Sequence, residues 1–380
     1  MAPAASKDPP ILLAIGEDDF NSHRRCREAI SRWKESMPGA EEEVVDGACG
    51  NGGEALKAIA RLREAMQTLP FFGTGKIIWL KRCTFLAEDK TSESQAVTAE
   101  LKDLAQEFKS FDWSQVRLAL DAPKVDRRKS FYKAVEGLAS VESFACLSVD
   151  DRDWMAKAEM LAARHLKSLG HRIDEEALGE LVSRVGPDTR VLANEVEKLS
   201  LYAHGRAKLE LADVRAVITV QKQAKAFALG DAVGDRDLPR VLKALDDELW
   251  SMGSGSQKSA IGLLYGVISK VRVMILVQEL LRLGYLLPNY EYARIKPALE
   301  RIPQGVLPTD AKYDPRQINP YVLFRALPQA RRYTSSELIE AMASLLECNR
   351  KLVGSGLDAS LLLQQTLIGI VGRPPSKTGR

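Results

Sequence analysis

Between Pro10 and about Asp150, short apolar runs alternate with longer amphipathic stretches. That alternation is the pattern of a parallel sheet whose strands are joined by crossover helices. Strands are predicted over Ile11 to Ile15, Glu43 to Val45, Lys76 to Leu80, Val116 to Leu120 and Phe144 to Val149. Helices are predicted over Asp19 to Ser36, Glu54 to Met66, Thr91 to Lys109 and Asp126 to Ala139, with Asp126 placed to cap the last of them.

From Asp151 the alternation stops and helical spacing takes over. Met155 to Leu169 is one amphipathic run. Glu175 to Val185 is the next, with Leu178, Leu181, Val182 and Val185 on one stripe and Gly186-Pro187 as a stop. Asp188 can cap a third, in which Val191, Leu192, Val196 and Leu199 face inward and Asn194, Glu195, Glu197 and Lys198 face out. A short run from Leu211 to Thr219 closes a small helical domain.

The polar stretch Gln221 to Ala226 is a domain boundary on this reading. Beyond it come helices over Asp237 to Trp250 and Ile261 to Leu283, the second apolar enough to sit inside a bundle or an oligomer. Tyr285 to Pro320, rich in Pro, Tyr and Arg, reads as a long loop. Helices resume over Tyr321 to Ala330, Ser335 to Lys351 and Leu357 to Ile370. The expected layout is an α/β domain over 1–150, a helical domain over 151–222 and a second all-α domain over 223–380.

Composition changes this picture little. A chain of 380 residues fits two or three domains, and a net charge of +3 does not suggest a general phosphate-coating surface. No apolar run is read as approaching the roughly 20 residues of a membrane span. Met1 to Pro10 lacks the apolar core of a secretory signal. Five cysteines without C-x-x-C spacing argue against zinc and against a disulfide framework, and fit a reducing cytoplasm.

One stretch stands out, Gln67-Thr68-Leu69-Pro70-Phe71-Phe72-Gly73, between the second helix and the third strand. Pro70 disfavours helix at Leu69 and Gly73 permits a turn, so Phe71 and Phe72 fall at a corner. Residue types alone favour two phenylalanines capping the local core. The competing reading is an exposed plug for another protein's pocket.

In a sheet of this kind the loop after the first strand holds a phosphate, if any is held. Here it is Gly16-Glu17-Asp18-Asp19-Phe20, with three carboxylates where amides and a lysine would be needed. Gly73-Thr74-Gly75-Lys76 only imitates a phosphate loop, having Pro70 for its first glycine and Ile77 for its hydroxyl residue. After the fourth strand, Ala122 occupies the place of an ATPase's second carboxylate, and Asp121 reads as a solvated strand end. Asp18 and Asp19 read as an exposed, acidic helix start. His23 and Cys26 have ligand-like helical spacing but lack partners in sequence. No nucleophile elbow or Cys/His arrangement is present, so no catalytic residue, cofactor or metal site is assigned.

The order of these parts resembles the delta subunit of the bacterial DNA polymerase III clamp loader. The resemblance rests on Leu12 to Asp18, Pro70 to Gly73, Ala122 to Arg128, Leu192 to Leu199, Phe227 to Val233, Asn319 to Tyr321 and Gln329 to Tyr333. It implies an AAA+-like first domain without a phosphate loop, then a helical lid and a helical collar. It implies a non-catalytic protein that binds and opens the sliding clamp, with gamma/tau and delta prime as further partners and primed DNA in the complex. By position, Phe71 and Phe72 become the clamp-binding plug, with Gln67 upstream and Leu69 in support; Phe71 stands where the family commonly has leucine. The absence of a four-cysteine module favours delta over its sister subunits. Two other readings remain: an AAA+ ATPase with an unconventional phosphate site, and a helical scaffold without a clamp partner.

Overall fold

The computed structural model describes residues 9–372 apart from 69–73, 90, 92, 150, 152, 221–224, 253–256, 304 and 307–313, with the backbone alone at 225–227, 251–252 and 257–259. The chain divides into two compact units, Met1–Cys146 and Leu147–Arg380.

The first unit is a five-stranded parallel sheet of order β2-β3-β4-β1-β5. Its strands are β1 (Ile11–Ile15), β2 (Glu41–Asp46), β3 (Lys76–Lys81), β4 (Val116–Ala122) and β5 (Ala139–Ser143). Between them run α1 (Asp19–Ser36), α2 (Gly52–Gln67), α3 (Gln95–Ser110) and α4 (Ser130–Glu136). Because β1, β3 and β4 are covered on both faces, they read as nearly unbroken apolar runs. Leu12, Ala14, Ile77, Trp79 and Ala119 meet Cys26, Ala29, Ile30 and Trp33 of α1. Leu13, Ile78, Leu80, Leu118 and Leu120 face the opposite core, built from α2, α3 and α4. The α/β expectation therefore holds.

Its details shift in three places. The last strand is Ala139–Ser143, earlier than the predicted Phe144 to Val149. After it, Phe144 turns its amide to the Ile15 carbonyl and its carbonyl to the Asp18 amide. The helix before it is short because Asp126 does not cap it. The Asp126 carboxylate accepts instead from the Arg128 amide and guanidinium, making a turn, and the cap position falls to Lys129. The strand expected at Glu43 to Val45 extends over Glu41–Asp46, tied along its length to β3.

The second unit opens with α5 (Trp154–Ser168), α6 (Glu175–Val185), α7 (Thr189–Tyr202) and α8 (Leu211–Val217), with a two-stranded parallel ladder of β6 (Arg172–Ile173) and β7 (Lys208–Leu209). Asp188 caps α7 as expected, accepting from the Arg190 and Val191 amides. Glu195, expected to face out, is 9% exposed and paired with Lys198. The rest is α9 (Lys225–Gly234), α10 (Leu238–Met252), α11 (Gln257–Arg282), α12 (Tyr292–Glu300), α13 (Pro320–Ala330), α14 (Ser335–Gly354) and α15 (Ala359–Val371) around one apolar core.

The boundary expected at residues 222–223 lies outside the described residues. The stretch read as a loop, Tyr285 to Pro320, contains α12. The helix's buried residues Ile295, Ala298 and Leu299 keep helical spacing despite Pro297 inside it. A second correction concerns α11. Ala260–Arg282 is 23 residues long with a mean hydropathy of 1.9, long and apolar enough to cross a membrane by length and composition. Within this chain only 39% of its most apolar window is buried, less than the burial on most faces expected from its sequence.

Candidate functional site

Leu69, Phe71 and Phe72 lie outside the described residues, and the residues on either side of that stretch, Thr68 and Thr74 to Lys76, are bonded to their surroundings. Gln67, the fourth sequence-assigned residue, is the exposed last residue of α2. Helix α2 is itself anchored. Asn51 caps its start, accepting from the Glu54 amide. The Arg63 guanidinium bridges Glu107 at 2.9 Å and Glu100 at 3.0 Å on α3. Those bonds hold Arg63 in its charged form, the one to Glu107 foremost.

At the C-terminus of α2, Thr68 closes the helix with its amide on the Glu64 carbonyl at 3.0 Å and its hydroxyl on the same oxygen at 2.8 Å. The Thr68 carbonyl accepts from the Lys76 ammonium at 3.0 Å. That ammonium is also 2.6 Å from Glu43 of β2, and Lys76 is only 3% exposed. A cation at a helix C-terminus is favoured by the helix dipole.

On the far side of the corner, the Thr74 hydroxyl donates to the Pro38 carbonyl at 2.8 Å. Gly75 follows at φ +153, where a Cβ would come within 2.2 Å of the Gln115 carbonyl oxygen. Only glycine lets the two backbones approach so closely. The Gly75 carbonyl then accepts from Glu41, and Lys76 donates its amide to Gln115.

The crevice at the carboxyl ends of β1 and β4, where folds of this kind bind nucleotides, is filled by the protein's own groups. Gly16 sits at φ +149 with its missing Cβ only 1.8 Å from the Phe144 carbonyl oxygen, leaving the turn no room beside that strand end. The Gly16 amide bonds Ala122 and the Asp18 amide bonds Phe144. Asp18 is buried, against the expectation of an exposed acidic start, and accepts from the Asn21 amide at 3.0 Å and side chain at 2.6 Å. Glu17 pairs with Lys124 at 2.9 Å.

Asp121 departs most from the sequence reading. It is 3% exposed, not solvated. One carboxylate oxygen accepts from the Arg82 amide at 2.9 Å and lies 2.9 Å from His23 Nε2; the other accepts from Trp79 Nε1 at 2.7 Å. Its backbone carbonyl accepts from Cys83. Arg82 holds the left-handed φ of 56°, a conformation costing on the order of 1 kcal/mol for a non-glycine residue. The bond to Asp121, together with the Arg82–Asp46 ion pair, maintains it.

The His23–Cys26 spacing does not make a metal pair. His23 is engaged with Asp121, and burial pushes the Cys26 thiol far up, with the Asp121 charge adding to it. Among the described residues no three His, Cys, Asp or Glu side chains are grouped as ligands. Lys76, the lysine of the false phosphate loop, is occupied by Thr68 and Glu43.

Sequence reasoning missed the roles of Lys76, Asp121, His23 and Trp79. The available signal was charge at buried strand positions: Lys76 opens the apolar run Ile77 to Leu80, and Asp121 ends the run Leu118 to Leu120. A buried charge needs partners, and these positions demand them.

Residues 54–144, which include the corner, match the family model described as DNA polymerase III, delta subunit. Over 112 residues the chain is 31% identical to a protein of Aquifex aeolicus (strain VF5) described as probable DNA polymerase III subunit delta. That match covers 29% of this chain and 32% of the relative, about a third of its length. A solved structure of the Bacillus subtilis DNA clamp loader delta protein aligns over 97% of this chain and 96% of its own at 19% identity, with a TM-score of 0.46. A gamma subunit-related protein of Thermotoga maritima aligns over the same shares at 11% identity and a TM-score of 0.28. The two structural alignments are too distant to bear on function. By its sequence matches the chain resembles the delta subunit of DNA polymerase III.

Proposed function

We propose that this chain is a delta-type subunit of a bacterial clamp loader that binds the sliding clamp through Phe71 and Phe72, with Gln67 and Leu69 beside them. The supporting observation is that the stretch matching the delta-subunit model, residues 54–144, contains residues 67–73, most of α2 and all of β3. Clamp binding is its activity and no bond is made or broken by its own residues. The plug binds the clamp more tightly in the sprung form than in the closed ring, because a ligand shifts an equilibrium only by its differential affinity for the two states.

A filled crevice fits a subunit that leaves ATP hydrolysis to its neighbours. Gly16, Asp18 and Asp121 spend there the amides and carboxylate that a triphosphate and its metal would require. On this reading residues 1–150 bind the clamp, 151–222 form a lid and 223–380 form the collar that joins gamma/tau and delta prime in the cytoplasm around primed DNA. Uncovered apolar side chains on the helices of that last part support the collar role. Ile339, Leu346 and Val353 of α14 recur every seven residues at 62%, 51% and 67% exposure, and Tyr265 of the half-covered α11 is 56% exposed.

Retention on immobilised clamp tests the proposal. The wild-type chain is retained and the Phe71→Ala, Phe72→Ala protein is not, with thermal unfolding unchanged. Loss of two central aromatic anchors costs at least about 2 kcal/mol each, roughly a thousandfold in affinity together. Normal retention of the double variant sinks the assignment. A large drop in unfolding temperature restores the reading of both rings as core residues, and micromolar ATP binding by the isolated chain favours the ATPase.

A further inference from the structure

We infer that Tyr321 of α13, seated against Gly179 of α6, is a fixed joint by which α5–α8 and α9–α15 move as one body. This joint lies wholly within the second unit and does not depend on what the first unit binds.

The second unit has two apolar cores, one inside α5–α8 and one inside the bundle of α9–α15. Helix α13 belongs to both. Its Leu323, Ala326, Leu327 and Ala330 lie in the bundle core, whereas Tyr321 is buried in the core of α5–α8 at 3% exposure. Phe324 packs against both cores, and Tyr292 of α12 lies beside Tyr321 with 6.1 Å between ring centroids.

The socket is cut for that ring. Gly179 is inside α6, where glycine weakens a helix and so calls for a packing reason. A Cβ there would stand 2.6 Å from Tyr321 Cδ2 and 2.7 Å from its Cγ, so a larger residue would drive the ring out. Glu180, the next residue, is buried and accepts from the Tyr321 hydroxyl and from Arg184 at 2.7 Å. Burial opposes the charge on Glu180, yet these two bonds hold its carboxyl below the ordinary range. A second tie is Asn319, which caps α13 and donates its side-chain amide to Glu159 of α5 at 3.0 Å.

Parts of a chain with separate cores turn against each other by default unless an apolar contact pins them. Here a ring from one part completes the core of the other, and its hydroxyl satisfies a carboxylate that burial would otherwise penalise. Turning the parts would withdraw both at once. Under the clamp-loader reading, a displacement of the lid is therefore delivered whole to the collar.

The test is the spread of distances between two spin labels on the full chain, attached through Leu201→Cys on α7 and Glu347→Cys on α14. Both sites are exposed, and Cys49→Ser and Cys146→Ser remove the accessible native thiols. With the joint intact, the distribution is as narrow as that of a pair within the bundle, Lys243→Cys with Glu347→Cys. Tyr321→Ala empties the socket and Gly179→Leu blocks it, and each broadens the distribution about twofold. Leu363→Ala in the bundle core lowers the melting temperature without broadening it. A broad distribution with Tyr321 and Gly179 both present overturns the inference. An unchanged width in Tyr321→Ala overturns it too, even with a lowered melting temperature, because that is the mark of a packing residue alone. If Tyr321→Ala and Gly179→Leu do not fold, Tyr321→Leu takes their place: it keeps an apolar side chain without the ring or hydroxyl, and an unchanged width there overturns the inference equally.

Discussion

The first unit has two loops that a parallel sheet could use for binding, at opposite edges, and they are built in opposite ways. At the carboxyl edge, the crevice beside β1 and β4 turns two carboxylates inward: Asp121 takes three donors and Asp18 caps α1. At the amino edge of β3, polar bonds hold the residues that flank 69–73, Thr68 before it and Thr74, Gly75 and Lys76 after it. The same currency of buried hydrogen bonds seals one loop and frames the other. Under the proposed function, a fold whose usual ligand site is sealed binds its partner through another loop, the one flanked by Thr68 and Thr74.

Removing the seal has the largest expected effect on stability. Asp121→Ala leaves His23, Trp79 and the Arg82 amide without their acceptor, at about 1–3 kcal/mol for each buried donor left unpaired, so roughly 4 kcal/mol in all is expected from denaturant unfolding. Clamp affinity of the folded fraction should stay at the wild-type value. A loss of clamp binding with fold intact would break the division of labour between the two loops.

A matched pair of glycine replacements sharpens the comparison. Gly16→Ala and Gly75→Ala each drive a methyl into a backbone carbonyl, at 1.8 and 2.2 Å before relaxation, and each should cost about 2–3 kcal/mol. Only Gly75→Ala should also weaken the clamp complex, because only Gly75 belongs to the frame. Equal effects of both on affinity would mean that the corner senses general stability and nothing local.

Smaller still is the effect of Arg63→Met, which cuts α2 from α3. With partners more than a third exposed, the two ion pairs are worth about 1 kcal/mol at most, seen as a shift of a few degrees in melting. Magnesium-ATP should produce no shift at all in melting temperature, whereas a ligand at a hundred times its dissociation constant would add about 2.7 kcal/mol. A clear ATP-dependent shift would reopen the crevice as a site.

Much of this architecture was legible in the residues. The buried strands of the first unit announce themselves as unbroken apolar runs, and α1 and α6 run over the predicted ranges, with Gly186 ending α6. The fifth strand was not legible, because Ala139 to Ser143 is half-buried and less apolar than the Phe144 to Val149 stretch that follows it. Helix α12 was hidden by Pro297 and its surrounding prolines and tyrosines. Pro70 and Gly73 suggest a turn from local chemistry alone, and of the residues assigned to that stretch Gln67 is exposed at the end of α2. Asp121 and Lys76 could not be given roles that way. Their partners lie 98 residues away for His23 with Asp121, and across a strand for Lys76 with Glu43, so only the fold brings them together.

Where a clamp touches this chain decides between the two loops. Hydrogen exchange of the full-length protein with and without its own organism's sliding clamp reads this directly. Protection is predicted at 67–75, with no change in the amides of Gly16 to Asn21 or Asp121 to Lys124. Protection at those crevice segments, with 67–75 exchanging as in the free protein, would contradict it.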